Sequence, residues 1–519
     1  MLRTCLDFIS QLRPESLLRV LTLSAVLVAA QICYIQHGWI NNDTVLYMES
    51  ARLFAQGQWQ EGFKVFAWPL YALLIAGVHL VTTFSLHLSA QLLSVAFYAA
   101  TTYCLIRLII LAGGDNLAVA AGALILFSAS YVTGDVMQML MRDQGFWAFF
   151  LAGLVFFIRF LQTHRWREAL LWQACIILAT LFRIEGISYL IGLPLVLLLE
   201  REVPPGQRLR WLLKAEVLPV SGALLLAIAF QLNQQLQMQD LGRLTEVFSR
   251  DLLDQFTAQF RQRSQIMADQ VLGKFLDGFA TQGLLLTFAF VTISKILSTT
   301  GLINTGLAAY SVARGTVLKN RRVILVMAAA LIIGLFNAQW IIVRSFVLSG
   351  RYIVAIALLL MIFAALGLAT LAREAGASGT RNMRSMLAWG LLIVMGLSLI
   401  KNLLPKADGY NYQQKAVAWL AQKHVPHALV YYHDGRLRYY AGAPFAGKCD
   451  DCWALLENQV ARDRLRNYRY LVVNVDQADT ARIEKIRGEL AEFREVSRFY
   501  ASKNKKYTLI LAKGEAGAP

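Results

Sequence analysis

Long apolar stretches recur along this chain, separated by short segments in which the charges are gathered. A helix needs roughly 20 residues to cross a bilayer core. Eleven stretches predict such helices: 17–35, 88–111, 117–134, 145–161, 169–182, 186–199, 211–232, 288–312, 323–340, 352–371 and 386–403. Several fall short of that length, so their ends must draw in flanking polar residues. The stretch 69–84 opens with Pro69, carries His79, and is short enough to predict a helix lying in the interface. The first span lacks a small-residue cleavage site and reads as a retained helix. Lys295 interrupts the eighth and is expected to reach toward an interface.

Counted this way, the basic segments alternate onto one side. They are Arg3, Arg13 and Arg19; Arg107; Arg165 and Arg167; Arg201, Arg208, Arg210 and Lys214; Arg314, Lys319, Arg321 and Arg322; and Arg373, Arg381 and Arg384. The positive-inside rule makes that side, and the N-terminus, cytoplasmic. The opposite face then carries a first loop, 36–87, a short turn at Arg142 and Asp143, a polar loop, 233–282, and the tail. The expected division is a membrane domain over 1–404 and an extracytoplasmic domain over 405–519. In the tail, helical patterns at 413–424, 454–466 and 478–493 alternate with strand-like 428–433 and 470–475, and a hairpin pairs 494–500 with 506–512. The tail is therefore a small α/β domain. It has no Gly-rich phosphate loop, so nothing supports nucleotide binding.

Composition agrees with the pattern. The 519 residues are 57% hydrophobic and only 16% charged, with mean hydropathy +0.49, where soluble domains are about 25% charged. This is a polytopic α-helical membrane protein. The net charge of +17 sits in short loops between apolar spans, which fits anionic headgroups and topology rather than nucleic acid. Cys5, Cys33, Cys104 and Cys175 lie in or beside apolar spans and read as small core residues. Cys449 and Cys452, in Lys-Cys-Asp-Asp-Cys-Trp, form the one motif. No second Cys or His pair completes a metal set, so a local disulfide is expected.

Chemistry gathers on the outer face. Asp43, just past the first span, is placed to take a proton from a hydroxyl or to cap the helix that follows. Asp143 opens an apolar helix after Arg142, as a cap, a local ion partner or a second functional carboxylate. Arg183 and Glu185 put two charges between adjacent apolar runs, where a structural clasp and a polar cavity are both open readings. Arg344 and Arg351, the latter in Ser-Gly-Arg-Tyr352, suit phosphate near the headgroup plane. Lys64 is a further candidate cation, or an interfacial anchor among aromatics.

Four segments resemble the C-type membrane glycosyltransferases, the group that includes bacterial aminoarabinose transferase and the protein O-mannosyltransferases. They are Asn42-Asp43-Thr-Val-Leu-Tyr-Met-Glu-Ser-Ala-Arg with Gln56-Gly57 and Trp68-Pro69-Leu70-Tyr71; Met141-Arg142-Asp143; Leu181-Phe182-Arg183-Ile184-Glu185-Gly186; and Gly350-Arg351-Tyr352. They cover the membrane part in the family's order. The resemblance implies that fold, with Asp43 and Asp143 as catalytic carboxylates. Arg183, Glu185, Arg351, Tyr352 and Lys64 would bind substrate. The chain departs from the aminoarabinose enzymes in having Trp68, not Lys, before Pro69. It departs from the O-mannosyltransferases in having Thr44, not Glu, after Asp43.

The implied reaction moves a sugar, with inversion, from a polyprenyl-phosphate donor to a hydroxyl of a glycolipid, glycan or protein, at the outer face of a bacterial inner membrane. No cofactor is assigned and the metal requirement is left open. The closest rival is a lipid-linked oligosaccharide ligase or polymerase. A transporter would want charges at midplane and inverted halves, which the chain lacks, and a scaffold with an inactive membrane part is the third reading.

Overall fold

The computed structural model describes residues 2–200, 203–232, 251–315, 320–377, 383–405 and 411–514. Arg201, Arg243, Arg250, Lys319 and Arg381, together with 233–250 of the expected polar loop, lie outside them. Among the described residues seven helices are long and apolar enough to cross a membrane: Pro14–Ile35, Leu86–Leu111, Asp143–Thr163, Asp277–Thr300, Arg321–Ser345, Gly350–Gly376 and Met383–Leu403. Two bent pairs raise the number to nine. The eleven expected spans reduce to these for a physical reason. Trp166–Phe182 has 17 residues, at the lower limit of a crossing, and Gly186–Leu199 is shorter still, so neither is among the long apolar helices. The expected 288–312 divides at Gly301, whose φ of 86° ends one helix and starts Leu302–Ala313.

Both bent pairs keep their backbone satisfied. After Asn116–Ser128 the chain passes into a π-turn, Ser130–Val136, and bends by 47°. The carbonyls released there are taken by side chains. Asn402 Nδ2 donates to Phe127 O at 3.0 Å, Ser398 Oγ to Ser128 O at 2.7 Å, and Thr133 Oγ1 to Leu126 O at 2.6 Å. At the 62° bend between Pro205–Ala215 and Val217–Leu232, Gln173 does the same work twice. Its amide donates to Lys214 O at 3.0 Å and its carbonyl accepts from Leu218 N at 2.7 Å, while Trp172 Nε1 donates to Ala215 O at 3.0 Å. An unpaired carbonyl in an apolar medium is costly, so breaks of this kind need such partners.

The chain divides into two compact units. The first comprises Met1–Cys33, Gln91–Met137 and Met141–Leu403, and the second Tyr34–Ala90, Gln138–Leu140 and Leu404–Pro519. Residues 34–90 thus belong to the unit that holds the tail. In the first unit Gly350–Ala377 is the most buried helix, and Gly367 lets it approach Leu302–Ala313 so closely that a Cβ would lie 2.2 Å from Leu307 O. The helices also give this unit two unlike ends. At one, Arg107 pairs with Glu15 at 3.0 Å, Arg373 with Asp115 at 2.5 Å, and Asn116 Nδ2 donates to Leu12 O at 2.6 Å. Arg322 similarly reaches Glu200 at 3.3 Å and Leu161 O at 2.7 Å.

The second unit contains the helices Asn42–Ala55, Trp59–Val65 and Leu70–Thr82. The last has 13 residues, or roughly 20 Å at 1.5 Å per residue. Its tail is a four-stranded sheet ordered β1-β2-β4-β3, with β1 Val430–Tyr432, β2 Tyr470–Asp476, β3 Phe493–Tyr500 and β4 Lys506–Lys513. β1 runs parallel to β2, while β4 is antiparallel to both β2 and β3. Alternation along β2 and β4 sends Leu471, Val473, Leu509 and Leu511 to one face, where they pack with Leu456, Ile483 and Ile486. Val472 and Ile510 go to the other, against Ala416, Val417 and Leu437. Cys449 and Cys452 are bridged.

Candidate functional site

In the first unit the site begins at a turn between two apolar helices. Trp166–Phe182 ends at Phe182 because Arg183 adopts extended geometry (φ −145°, ψ 127°), and Gly186–Gly192 begins three residues later. Gly186 makes the turn possible, since a Cβ there would lie 2.6–2.7 Å from Thr180 atoms. The turn presents Arg183, which is only 6% exposed in its side chain. Its Nη1 donates to Asp143, the first residue of the helix Asp143–Thr163. Its Nη2 and Nε donate to the two oxygens of Glu185 at 3.0 and 3.3 Å. The Tyr352 ring faces the guanidinium at 4.3 Å. Asn337 Nδ2 donates to Glu185 O at 3.3 Å and so ties the turn to Arg321–Ser345.

Electrostatics explain why Glu185 stays ionised. Burial by itself raises the carboxyl pKa of Glu185, but the Arg183 charge and hydrogen bonds outweigh it and hold the group down at about 2. One guanidinium faces two carboxylates here. A buried charge is tolerated when it is paired and hydrogen-bonded on several sides. Arg351 begins the adjacent helix, Gly350–Ala377, and its Nη1 lies 3.0 Å from Met141 Sδ. Gly350 is required at that bend, because a Cβ would lie 2.6 Å from the Tyr131 ring and 3.0 Å from Thr299 Oγ1.

Three of the four quoted segments, separated by up to about two hundred positions, therefore meet in one place. Asp143 pairs across to Arg183, and Arg183 with Glu185 forms a clasp that also takes in a second helix. The cluster lies at the ends of Asp143–Thr163 and Gly350–Ala377 away from Leu161 and Arg373, so it occupies the end of the unit opposite the basic residues.

Asp43 and Lys64 belong to the second unit. Asp43 is half-buried in the first turn of Asn42–Ala55, and the cap is Asn41, whose side chain accepts from Asp43 N at 3.1 Å. The capping role considered for Asp43 thus falls to its neighbour two residues earlier. Thr44 Oγ1 donates to Met139 O at 2.6 Å. Lys64 is exposed on the helix Trp59–Val65 and pairs with Glu61 at 2.7 Å. Asn337 and Tyr131 escape a reading of the sequence, because nothing local marks them. Gly186 and Gly350, set directly beside charged residues, are the detectable signal. Among the described residues no three His, Cys, Asp or Glu side chains gather as a metal site.

The sequence matches no protein-family model and no curated protein. Among solved structures it is similar to the archaeal oligosaccharyltransferase AglB from Archaeoglobus fulgidus, solved with an inhibitory peptide and a dolichol-phosphate. The TM-score is 0.45 at 13% identity, over 96% of this chain and 75% of that one. It is also similar to the arabinofuranosyltransferase AftD from Mycobacteria, with TM-score 0.47 at 14% identity, over 98% of this chain and 40% of that one. Scores below 0.5 at such identity leave the functional argument to the residues themselves.

Proposed function

We propose that this chain is an integral-membrane glycosyltransferase that moves a sugar from a polyprenyl-phosphate donor to an acceptor hydroxyl on the outer face of a bacterial inner membrane. The observation that carries the reading is the convergence of Asp143, Arg183, Glu185, Arg351 and Tyr352, from three distant segments, at the end of the helical unit opposite its basic loops. A fixed charged constellation at that position suits a phosphate-bearing lipid held at the headgroup plane.

In the proposed step the acceptor oxygen attacks the anomeric carbon of the donor sugar. The new glycosidic bond forms as the bond from that carbon to the phosphate oxygen breaks, so one displacement inverts the configuration. The hydroxyl proton passes to the Asp43 carboxylate, and polyprenyl phosphate leaves with the electron pair. Arg351 offsets the charge that grows on the phosphate. Arg183, already engaged by two carboxylates, acts as a positioning residue, while Asp143 and Glu185 hold it. Confinement of both substrates to the membrane surface lowers the entropic cost of their meeting. A glycolipid, a glycan or a protein each supplies the hydroxyl this step needs.

The test is transfer from a panel of radiolabelled polyprenyl-phosphate sugars in membranes carrying wild type, Asp43→Asn or Arg351→Gln. Wild type should transfer at least one sugar, and each variant should lose about 10²–10⁴-fold in rate. Equal transfer by wild type and Asp43→Asn would remove Asp43 from the mechanism. Transfer only from a lipid-linked oligosaccharide would move the protein to the ligase or polymerase class.

A further inference from the structure

The second unit holds a cavity that the proposed chemistry does not use. It measures about 550 Å³ and lies between the helix Asn42–Ala55 and the tail helix Gly435–Ala441, both within that unit. Pockets of 300–1,000 Å³ commonly take small molecules, and this one has room for one or two sugar rings. Gly442, with φ 67°, ends the tail helix and turns the chain so that Phe445 joins Tyr439 along the wall. Met48 adds an apolar face from the other side.

The charged groups are unevenly matched. Arg52 Nε and Nη2 donate to the Glu49 carboxylate at 2.9 and 2.7 Å, and Nη1 donates to Gln56 at 2.8 Å. That row is a ready fork for vicinal hydroxyls. Arg438 has no such balance. Its Nη1 donates to Pro444 O at 3.2 Å and its guanidinium lies 5.8 Å from the Tyr432 ring centre. Among the described residues no carboxylate lies within ion-pair distance of Arg438. Two guanidinium groups thus face one carboxylate inside a wall that is otherwise apolar and aromatic. Aromatic faces suit the C–H face of a sugar, and an Arg without a carboxylate suits an anion with two oxygens. A lipid tail has no use for the net positive charge, and a bare anion has none for the aromatic wall.

We propose that this cavity binds a sugar residue bearing a carboxylate or a phosphate, with Arg438 on the anion, Tyr439 and Phe445 on the ring, and Arg52 and Glu49 on its hydroxyls. Naming that sugar as part of the acceptor rests on the glycosyltransferase reading. The binding itself does not.

The experiment measures binding of glucuronic acid, glucose 6-phosphate, glucose and inorganic phosphate to the full-length protein in detergent, by isothermal titration calorimetry. Both anionic sugars should bind, with glucose and inorganic phosphate at least tenfold weaker. Arg438→Gln should bring the anionic sugars down to the level of glucose. Phe445→Ala should weaken both anionic sugars by at least tenfold and leave inorganic phosphate unchanged, an arm that holds even where Arg438→Gln does not fold. Glucose binding as tightly as its acids, or an Arg438→Gln protein with native melting and full affinity, overturns the proposal. Inorganic phosphate binding as tightly as the sugar phosphate overturns the saccharide. Asp43→Asn separates the two readings, because it should stop transfer and leave these affinities intact. Binding without transfer by wild type fails the enzyme reading alone, and transfer without binding fails this one alone.

Discussion

Arg183 joins buried Asp143 and largely buried Glu185, so removing the guanidinium leaves two acidic side chains without their partner. Arg183→Met is expected to destabilise the protein by about 3–5 kcal/mol, read as a fall in the thermal midpoint of the detergent-solubilised chain. The same pairing sets an acid response. The folded pKa of Glu185 is depressed, so its contribution is fully present above the ordinary value of 4.5 and is lost as the pH falls toward about 2. Wild type should lose stability more steeply than Glu185→Gln across that window. In the tail, His433 shows the opposite sign of group. Burial lowers its pKa below 6.5, with Asp434 and Asp479 acting against that and Arg482 with it. The neutral ring is the form the fold accepts, beside Trp453 at 4.7 Å. Stability should therefore be full above about 6.5 and fall as the pH drops below it. His433→Phe should blunt that fall, as followed by tail unfolding at pH 5 and pH 7.5.

Helices in this protein depend on small residues and on side chains that serve broken backbone. Gly367 sits where the two backbones nearly touch, a mode of packing common between membrane helices. Gly367→Ala must push Leu302–Ala313 outward, and a cost of about 1–3 kcal/mol is expected, measured by thermal unfolding against a Gly390→Ala control, whose Cβ would meet nothing within 4 Å. Much of the element pattern is legible in the chain. Six of the seven full-length spans follow from apolar length, while Asp277–Thr300 starts earlier than expected and stops at Gly301, and the tail's strands follow from alternation that ends at polar turns. The helix Gly435–Ala441 and the breaks after Ser128 and Ala215 are not legible. A short helix carries too few turns to show a period, and a break is tolerated only because Gln173, Asn402 or Ser398 arrives from another helix.

The proposed orientation puts the basic end of the helical unit in the cytoplasm and the charged cluster on the outer face, as the positive-inside rule asks. Single cysteines placed at Arg165 and at Ser502 in a cysteine-free background should separate in intact cells. A membrane-impermeant maleimide is expected to label Ser502→Cys and to spare Arg165→Cys until the membrane is opened. The reverse result would put the tail in the cytoplasm and end the outer-face mechanism.

By itself the sequence determined the membrane class, the candidate spans, the α/β character of the tail and the residues worth testing. Those properties are local or periodic, set by apolar length, alternation and charge count along a few turns of chain. Tertiary packing set that Asp143 answers Arg183 and that Arg438 shares a cavity with Arg52. Each depends on where a backbone turns and which surfaces then meet. Side chains forty or nearly four hundred residues apart become neighbours through packing alone, and no pattern within either segment records the other.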